Sequence, residues 1–150
     1  MKVAVLGSGG WGTALALLLL ENGNDVTLWS YSPDEIAVIR QSGENPLLKG
    51  VPIPQELKLT NDMSVAKGCE VVVLATPSFA VGTTARQLAA VVQDGTVLVS
   101  VSKGIEKDTS LRLSQVIERE VGERCPVVVL SGPSHAEEVG RRVPTAVVSA

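Results

Sequence analysis

The chain has 150 residues and a net charge of −3, with 13 basic and 16 acidic side chains. It carries no basic stripe or Arg/Lys run, the electrostatic footprint expected of a nucleic-acid binder. The longest apolar block, Ala14 to Leu20, is far short of the ~20 residues that span a bilayer, and it follows a glycine loop rather than a charged leader. Neither a membrane nor a nucleic acid is therefore expected as a partner. The two cysteines, Cys69 and Cys125, lie far apart without C-x-x-C or His spacing, so they read as reduced thiols, not a metal site. A cytoplasmic protein is expected. A mean hydropathy of +0.26 with 45% apolar but only 3% aromatic residues points to a Val/Leu/Ile/Ala core under a sheet covered on both faces. One domain, 1–150, is the natural reading of this length.

Apolar runs alternate with amphipathic stretches, the pattern of successive β-α units. Val3 to Leu6 predicts a strand, and Gly10 to Glu21 a helix stopped by Asn22-Gly23. Asp25 to Trp29 predicts the second strand, and Pro33-Asp34-Glu35 the start of a helix with proline and acids in its first turn. Asn45 to Pro54, with three prolines, reads as an extended surface loop, and Leu57 to Thr60 as a short strand. Glu70 to Ala75 is a strand broken by Thr76-Pro77-Ser78, followed by a helix over Phe79 to Val92 and a strand over Thr96 to Val101. Asp108-Thr109-Ser110 reads as the cap of a helix running to Val121 and closed by Gly122. Val127 to Leu130 and Thr145 to Ser149 complete the strands. The expected fold is α/β, a Rossmann-type doubly wound, mostly parallel sheet with helices on both faces.

In such a sheet, ligands bind beyond the carboxyl ends of the parallel strands. Residues just after each apolar run therefore carry the functional expectation. The first such segment is Gly7-Ser8-Gly9-Gly10-Trp11-Gly12, a G-x-G-x-x-G string between a strand and a helix. There Gly7 permits the tight turn, Gly9 lets the backbone approach a pyrophosphate, and Gly12 lets helix and strand pack closely. The helix N-terminus offers free N–H groups and partial positive charge to the anion. The other segments are Ser30-Tyr31-Ser32, Thr76-Pro77-Ser78, Ser102-Lys103-Gly104 and Ser131 to Ala136. Trp29-Ser30-Tyr31-Ser32 holds no carboxylate to bind the ribose 2′-hydroxyl of NAD, and Asp34 and Glu35 read as first-turn helix residues. Nor does an arginine precede Arg40. On these residue types NADP is tolerated and somewhat favoured, with NAD left open. Lys103, the only cation in these segments, is either a solvated lysine or a partner for a phosphate or a developing oxyanion. His135, the only histidine, reads as a packing or capping residue.

Taken together, Gly7 to Ala16, Leu28-Trp29, Ser102-Lys103-Gly104-Ile105-Glu106, Ser131 to Glu138 and the Pro144-Thr145-Ala146 tail resemble the bacterial NAD(P)-dependent glycerol-3-phosphate dehydrogenase. The resemblance implies interconversion of dihydroxyacetone phosphate and sn-glycerol 3-phosphate, a small phosphorylated substrate and a precursor in phospholipid biosynthesis. By the family pattern, Gly10 and Trp11 contact the cofactor at the pyrophosphate loop and Tyr31 flanks its adenosine end. Lys103 touches both cofactor and substrate, Gly132 and Ser134 line the substrate side, and Ala136 lies against the cofactor. Gly10 stands where many members carry serine, and Tyr31 where His or Arg is often found. The resemblance also implies that the catalytic acid–base lysine, most phosphate-binding residues and any homodimer contact belong to a helical domain beyond Ala150. No catalytic residue is then expected within this chain, which reads as the cofactor-binding half of an oxidoreductase. A stand-alone dinucleotide-binding or sensing module is an alternative, although a sensor has no need of Ser131-Gly132-Pro133-Ser134. A different two-domain dehydrogenase is another, against which Lys103 favours a phosphate-bearing substrate.

Overall fold

The computed structural model describes all residues 1–150. Seven strands form one sheet: β1 (Lys2–Leu6), β2 (Asp25–Trp29), β5 (Lys58–Thr60), β6 (Val71–Leu74), β7 (Val97–Ser100), β8 (Val127–Ser131) and β9 (Val148–Ser149). Their order is β5-β2-β1-β6-β7-β8-β9. All pairs are parallel except β8–β9, which is antiparallel at the edge. The chain winds outward from β1 in one direction through β2 and β5, then returns to β6 and winds the other way. The topological switch point thus lies between β1 and β6. The pairing Leu6↔Trp29, Leu6↔Leu74 and Leu74↔Ser100 brings four strand ends level at one edge.

Both faces of the sheet are buried, which is why the strands read as unbroken apolar runs. Because side chains alternate, β1 sends Ala4 and Leu6 to one core and Val3 and Val5 to the other. The first core packs under α3 (Val81–Ala89) and α4 (Leu113–Val121), through Val81, Ala85, Leu88, Val116 and Ile117. The second packs under α1 (Gly10–Glu21), whose Ala14, Leu15, Ala16 and Leu17 meet Val26 and Leu28. The helix α2 (Pro33–Ser42) follows β2 and buries Ile36 and Ile39. A short helix, α5 (Ala136–Gly140), packs against α1.

The last strand is cut from the expected Thr145 to Ser149 to Val148–Ser149, and three further expectations change. The stretch Asn45 to Pro54 is not a surface loop: β3 (Glu44–Asn45) and β4 (Leu48–Pro52) form an antiparallel hairpin. It forms because Leu48 and Val51 are apolar at a spacing that buries both in the second core, against α1 and α5. The helix expected after Asp108-Thr109-Ser110 begins only at Leu113. Those polar side chains are consumed by a turn instead: Thr109 Oγ1 donates to Glu106 (2.5 Å) and accepts from the Leu111 N–H, and Ser110 adopts φ 58°. Likewise the helix expected over Phe79 to Val92 is shortened to Val81–Ala89 by a 3-10 turn at Ser78–Ala80. Arg124 closes its far end, donating to the carbonyls of Ala89 and Val92 while also reaching Val121 at the end of α4.

An ion-pair network lies across α3, α4 and the turn before α4. Arg119 bonds Glu106 (2.8 Å) and Glu120 (2.9 Å), and Glu120 also pairs with Arg86 (2.9 Å). Hydrogen bonds from Arg119 and then Thr109 pull the Glu106 carboxyl down to about 2. A depressed carboxyl stabilises the fold above its ordinary value of 4.5, and that contribution disappears as pH falls toward 2. Urea midpoints measured across this window should therefore fall less steeply in Glu106→Gln than in the parent; parallel curves would exclude the assignment.

Candidate functional site

The level ends of β2, β1, β6 and β7 enclose an open cavity of about 1070 Å³. Its lining includes Gly7 to Gly12, Trp29 to Tyr31, Ala75 to Pro77, Val101 to Lys103 and Ser134 to Ala136. Segments remote in sequence thus converge on the switch point, where open α/β sheets bind ligands. Lys103 is the only Lys or Arg in the lining.

The glycine loop is held by contacts that leave no room for side chains. A Cβ on Gly7, at φ +124°, would stand 2.6 Å from the Ala75 carbonyl oxygen, and one on Gly12 only 2.0 Å from that of Gly7. Gly9 differs: a Cβ there meets nothing within 4 Å, so its bare backbone faces the cavity. The first helical bond runs from the Thr13 N–H to the Gly9 carbonyl (2.9 Å), so the N–H groups of Gly10, Trp11 and Gly12 have no partner within α1. No acidic residue stands in that first turn. The helix therefore presents its partial positive charge to the cavity uncompensated, beside a backbone that a phosphate can approach. This donor set fits the pyrophosphate of a dinucleotide. Gly10 is fixed by a different neighbour, because its Cβ would lie 2.5 Å from the Leu47 carbonyl oxygen. The β3–β4 hairpin occupies the space a serine side chain would need.

Sequence reasoning missed two polar residues that hold this loop. Asn45, only 2% exposed, donates to the Ser8 carbonyl (2.7 Å) and to Thr13 Oγ1 (2.7 Å), and accepts from the Leu47 N–H (2.9 Å). It ties the hairpin to both ends of the glycine turn, a contact between residues 32 and 37 positions apart that no local pattern reveals. Glu35 is the second. It does occupy the first turn of α2, where Ser32 caps its N–H (3.4 Å), but its side chain turns into the cavity lining. Its Oε2 accepts from Ser30 Oγ (2.6 Å) and Ser8 Oγ (2.7 Å), and these hydroxyls hold the carboxyl below its usual range. The expectation that no carboxylate stands at the end of β2 is thereby corrected. Its signal was available: an acid some twenty residues past the glycines is the position to inspect.

The remaining candidates divide. Tyr31 is 82% exposed at the rim, and Phe79, 87% exposed, stands on the opposite lip. Lys103 and Ser134 lie at the junction with a second cavity of about 300 Å³, which Arg112, Gly132 and Val147 also line. Ala136 lies in the main cavity, its Cβ 3.4 Å from where a Gly10 Cβ would stand. Gly132 is not in the main cavity; its Cα faces the Ala146 carbonyl, leaving no space for a Cβ (2.7 Å). His135 stands at the N-cap of α5 but its side chain makes no capping bond; it lines the cavity wall instead. No group of three or more His, Cys, Asp or Glu side chains is arranged to hold a metal ion, and no helix is long and apolar enough to cross a membrane. Both cysteines are buried and free, and burial raises their thiols above the ordinary range.

Residues 2–150 match the family model described as the NAD-dependent glycerol-3-phosphate dehydrogenase N-terminus. The chain belongs to this family. A glycerol-3-phosphate dehydrogenase [NAD(P)+] of Moorella thermoacetica is 50% identical across 99% of the chain, and that of Bacillus subtilis 45% identical across 99%. The chain spans 44% of the length of each. Among solved structures, glycerol-3-phosphate dehydrogenase of Coxiella burnetii superposes with a TM-score of 0.90 at 36% identity, covering 97% of this chain and 45% of that one. The glycine loop and Ser134 to Ala136 thus meet at the main cavity, while Ser131 and Gly132 line the second one beside it.

The Asn45 clasp sets the position of the loop. Asn45→Ala leaves the Leu47 N–H and the Ser8 carbonyl without these partners and should lower unfolding free energy by about 1–3 kcal/mol, read from urea denaturation. A change within experimental error would show that the hairpin holds the loop without it.

Proposed function

We propose that this chain is the dinucleotide-binding half of an oxidoreductase that interconverts dihydroxyacetone phosphate and sn-glycerol 3-phosphate with NAD(P)H. The observation that carries the proposal is the bare Gly9 backbone beside the unpaired amides of α1, opening onto a cavity that also holds Lys103. Family membership supplies the substrate class.

When bound, the nicotinamide supplies or accepts the hydride. The N–H groups of the α1 first turn would hold the pyrophosphate without side-chain charge. Tyr31 would flank the adenosine half of the cofactor, and Ala136 and Lys103 its nicotinamide half. Ser102 fixes the direction of that last segment by donating from Oγ to the Thr76 carbonyl (2.6 Å). Lys103, a compact ammonium just beyond β7, attracts the substrate phosphate or the carbonyl oxygen on which charge develops as hydride arrives. Ser134, which lines both cavities, and Gly132, which lines only the second, would face the substrate. The proton that completes the alcohol comes from a positioned acid, assigned to a lysine of a helical domain outside these 150 residues. That domain would also supply the homodimer contact. The buried free thiols accord with a reducing cytoplasmic setting, and the product feeds phospholipid biosynthesis.

Both tryptophans of the chain, Trp11 and Trp29, line the cavity, so intrinsic fluorescence reports its occupancy directly. Titration with NADH or NADPH should quench it saturably. Gly9→Val, whose side chain enters open space in the cavity and not the protein core, should weaken the better-bound dinucleotide about tenfold or more with the thermal midpoint preserved. Turnover of dihydroxyacetone phosphate by the 150-residue chain should be negligible, and robust turnover would refute the two-part reading. In a chain that carries the second domain, Lys103→Ala should weaken glycerol 3-phosphate binding about tenfold or more. An unchanged dissociation constant would return Lys103 to the class of solvated lysines.

A further inference from the structure

The second cavity has the chemistry of a small-anion site. It holds about 300 Å³, too little for a dinucleotide and enough for a phosphorylated molecule of a few carbons. Lys103 and Arg112 are the only charged residues in its lining, which includes no carboxylate. The chain between them brings the two together. Beyond β7 it turns at Gly104 (φ +117°) and folds back, so that Ile105 pairs with Arg112 in an isolated antiparallel bridge. Residues opposed in such a bridge have Cα atoms about 5 Å apart, so Arg112 stands beside the residue two after Lys103.

Arg112 is exposed, and its guanidinium makes no ion pair or hydrogen bond. Glu106, the carboxylate next to Ile105 in the bridge, is taken instead by Arg119 (2.8 Å). Arg112 also leads into α4. The Val116 N–H bonds the Arg112 carbonyl (3.1 Å), so the N–H groups of Leu113, Ser114 and Gln115 have no partner within the helix. No acid stands in that first turn, and Leu113 and Ser114 line the cavity. Ser100 adds an independent observation. It is 2% exposed yet forms part of the cavity wall, and its hydroxyl makes no hydrogen bond within the protein. Alternation along β7 puts it on the face of Leu98, which α4 covers. A buried hydroxyl without a partner, beside two unpaired cations and an uncompensated helix terminus, is a position that an anion completes.

We infer that Arg112 is a binding residue of the substrate site, holding with Lys103 the phosphate of the three-carbon substrate in the second cavity, where Ser100 and the first amides of α4 donate to it. The inference rests on the proposed function and specifies it: this half of the enzyme binds the substrate phosphate itself. Arginine suits the task, because its planar fork can donate two hydrogen bonds to one phosphate.

The test titrates sn-glycerol 3-phosphate into the 150-residue chain at constant ionic strength, with backbone amide chemical shifts as the readout. In the parent, the amides of Ser100, Lys103 and Ser114 should move saturably, with a dissociation constant of about 1–10 mM. Glycerol, which lacks the phosphate, should move none of them. Arg112→Gln should weaken binding about tenfold or more. Arg141→Gln removes another arginine whose side chain bonds nothing and which lines neither cavity, so it should bind as the parent does and separate local contact from net charge. Arg112 does not line the main cavity, so Arg112→Gln should keep the parent's affinity for NADH. Shifts that fail to saturate in the parent up to about 0.1 M ligand would overturn the inference. So would unchanged binding by Arg112→Gln, or an equal loss in Arg141→Gln. NADH binding by those same samples would leave the dinucleotide reading standing, and binding of neither ligand to the folded chain would overturn both.

Discussion

Everything at this site depends on how closely α1 approaches the end of β1. The Gly12 Cα is so near the Gly7 carbonyl, and Gly7 so near the Ala75 carbonyl, that no side chain fits at either contact. This close packing points the helix N-terminus across the gap between β1 and β6, where the two halves of the sheet diverge. An extra methyl at Gly12 would push the helix away and carry the unpaired amides of Gly10 to Gly12 with it. The apolar face of α1 resists such a shift, because Ala14 to Leu17 are buried against β1 and β2. Packing in the second core therefore fixes the position of donors in the cavity, and fold and site share one constraint.

Two polar clasps then hold the loop from either side. Asn45 binds it from the hairpin, and Glu35 binds it from α2 through Ser8. The two differ in character. Asn45 is buried, with its side-chain oxygen and amide both used inside the protein, so its role is to position. Glu35 is exposed on the rim, where its carboxylate joins the hydroxyls of Ser8 and Ser30. Charge strengthens that clasp, because a carboxylate accepts hydroxyl protons more strongly than a neutral oxygen does.

The central β-α-β succession was legible because strands buried on both faces spell themselves as apolar runs, and because α1 begins and ends on glycine signals. The spans of α1 and β2 were read to the residue. What escaped was structure created by distant partners. Leu48 and Val51 look like isolated apolar residues among prolines until α1 and α5 supply the surface that buries them. Thr109 and Ser110 have the composition of a helix cap, yet Glu106 captures Thr109, and the helix waits until Leu113. At the site, convergence of the strand-end segments followed from the fold class alone. Asn45 and the side-chain direction of Glu35 did not, since a first-turn acid serves a helix dipole equally well facing water or facing a ligand.

Along the sheet edge the polar groups form an ordered series. A carboxylate stands beyond β2, an uncompensated helix N-terminus beyond β1, and an ammonium beyond β7. Charge thus changes sign across the crevice, negative at the β2 end, partly positive in the middle and fully positive at the far end. Under the proposed function this matches the successive demands of an uncharged ribose, a pyrophosphate and a phosphorylated substrate. It also explains how a chain of net negative charge can attract a dianion, since field within a crevice is set by the groups that line it rather than by the total. Moving the carboxylate to the β7 end would cancel Lys103. The order of these groups along the strands, more than the identity of any one of them, gives the crevice its direction.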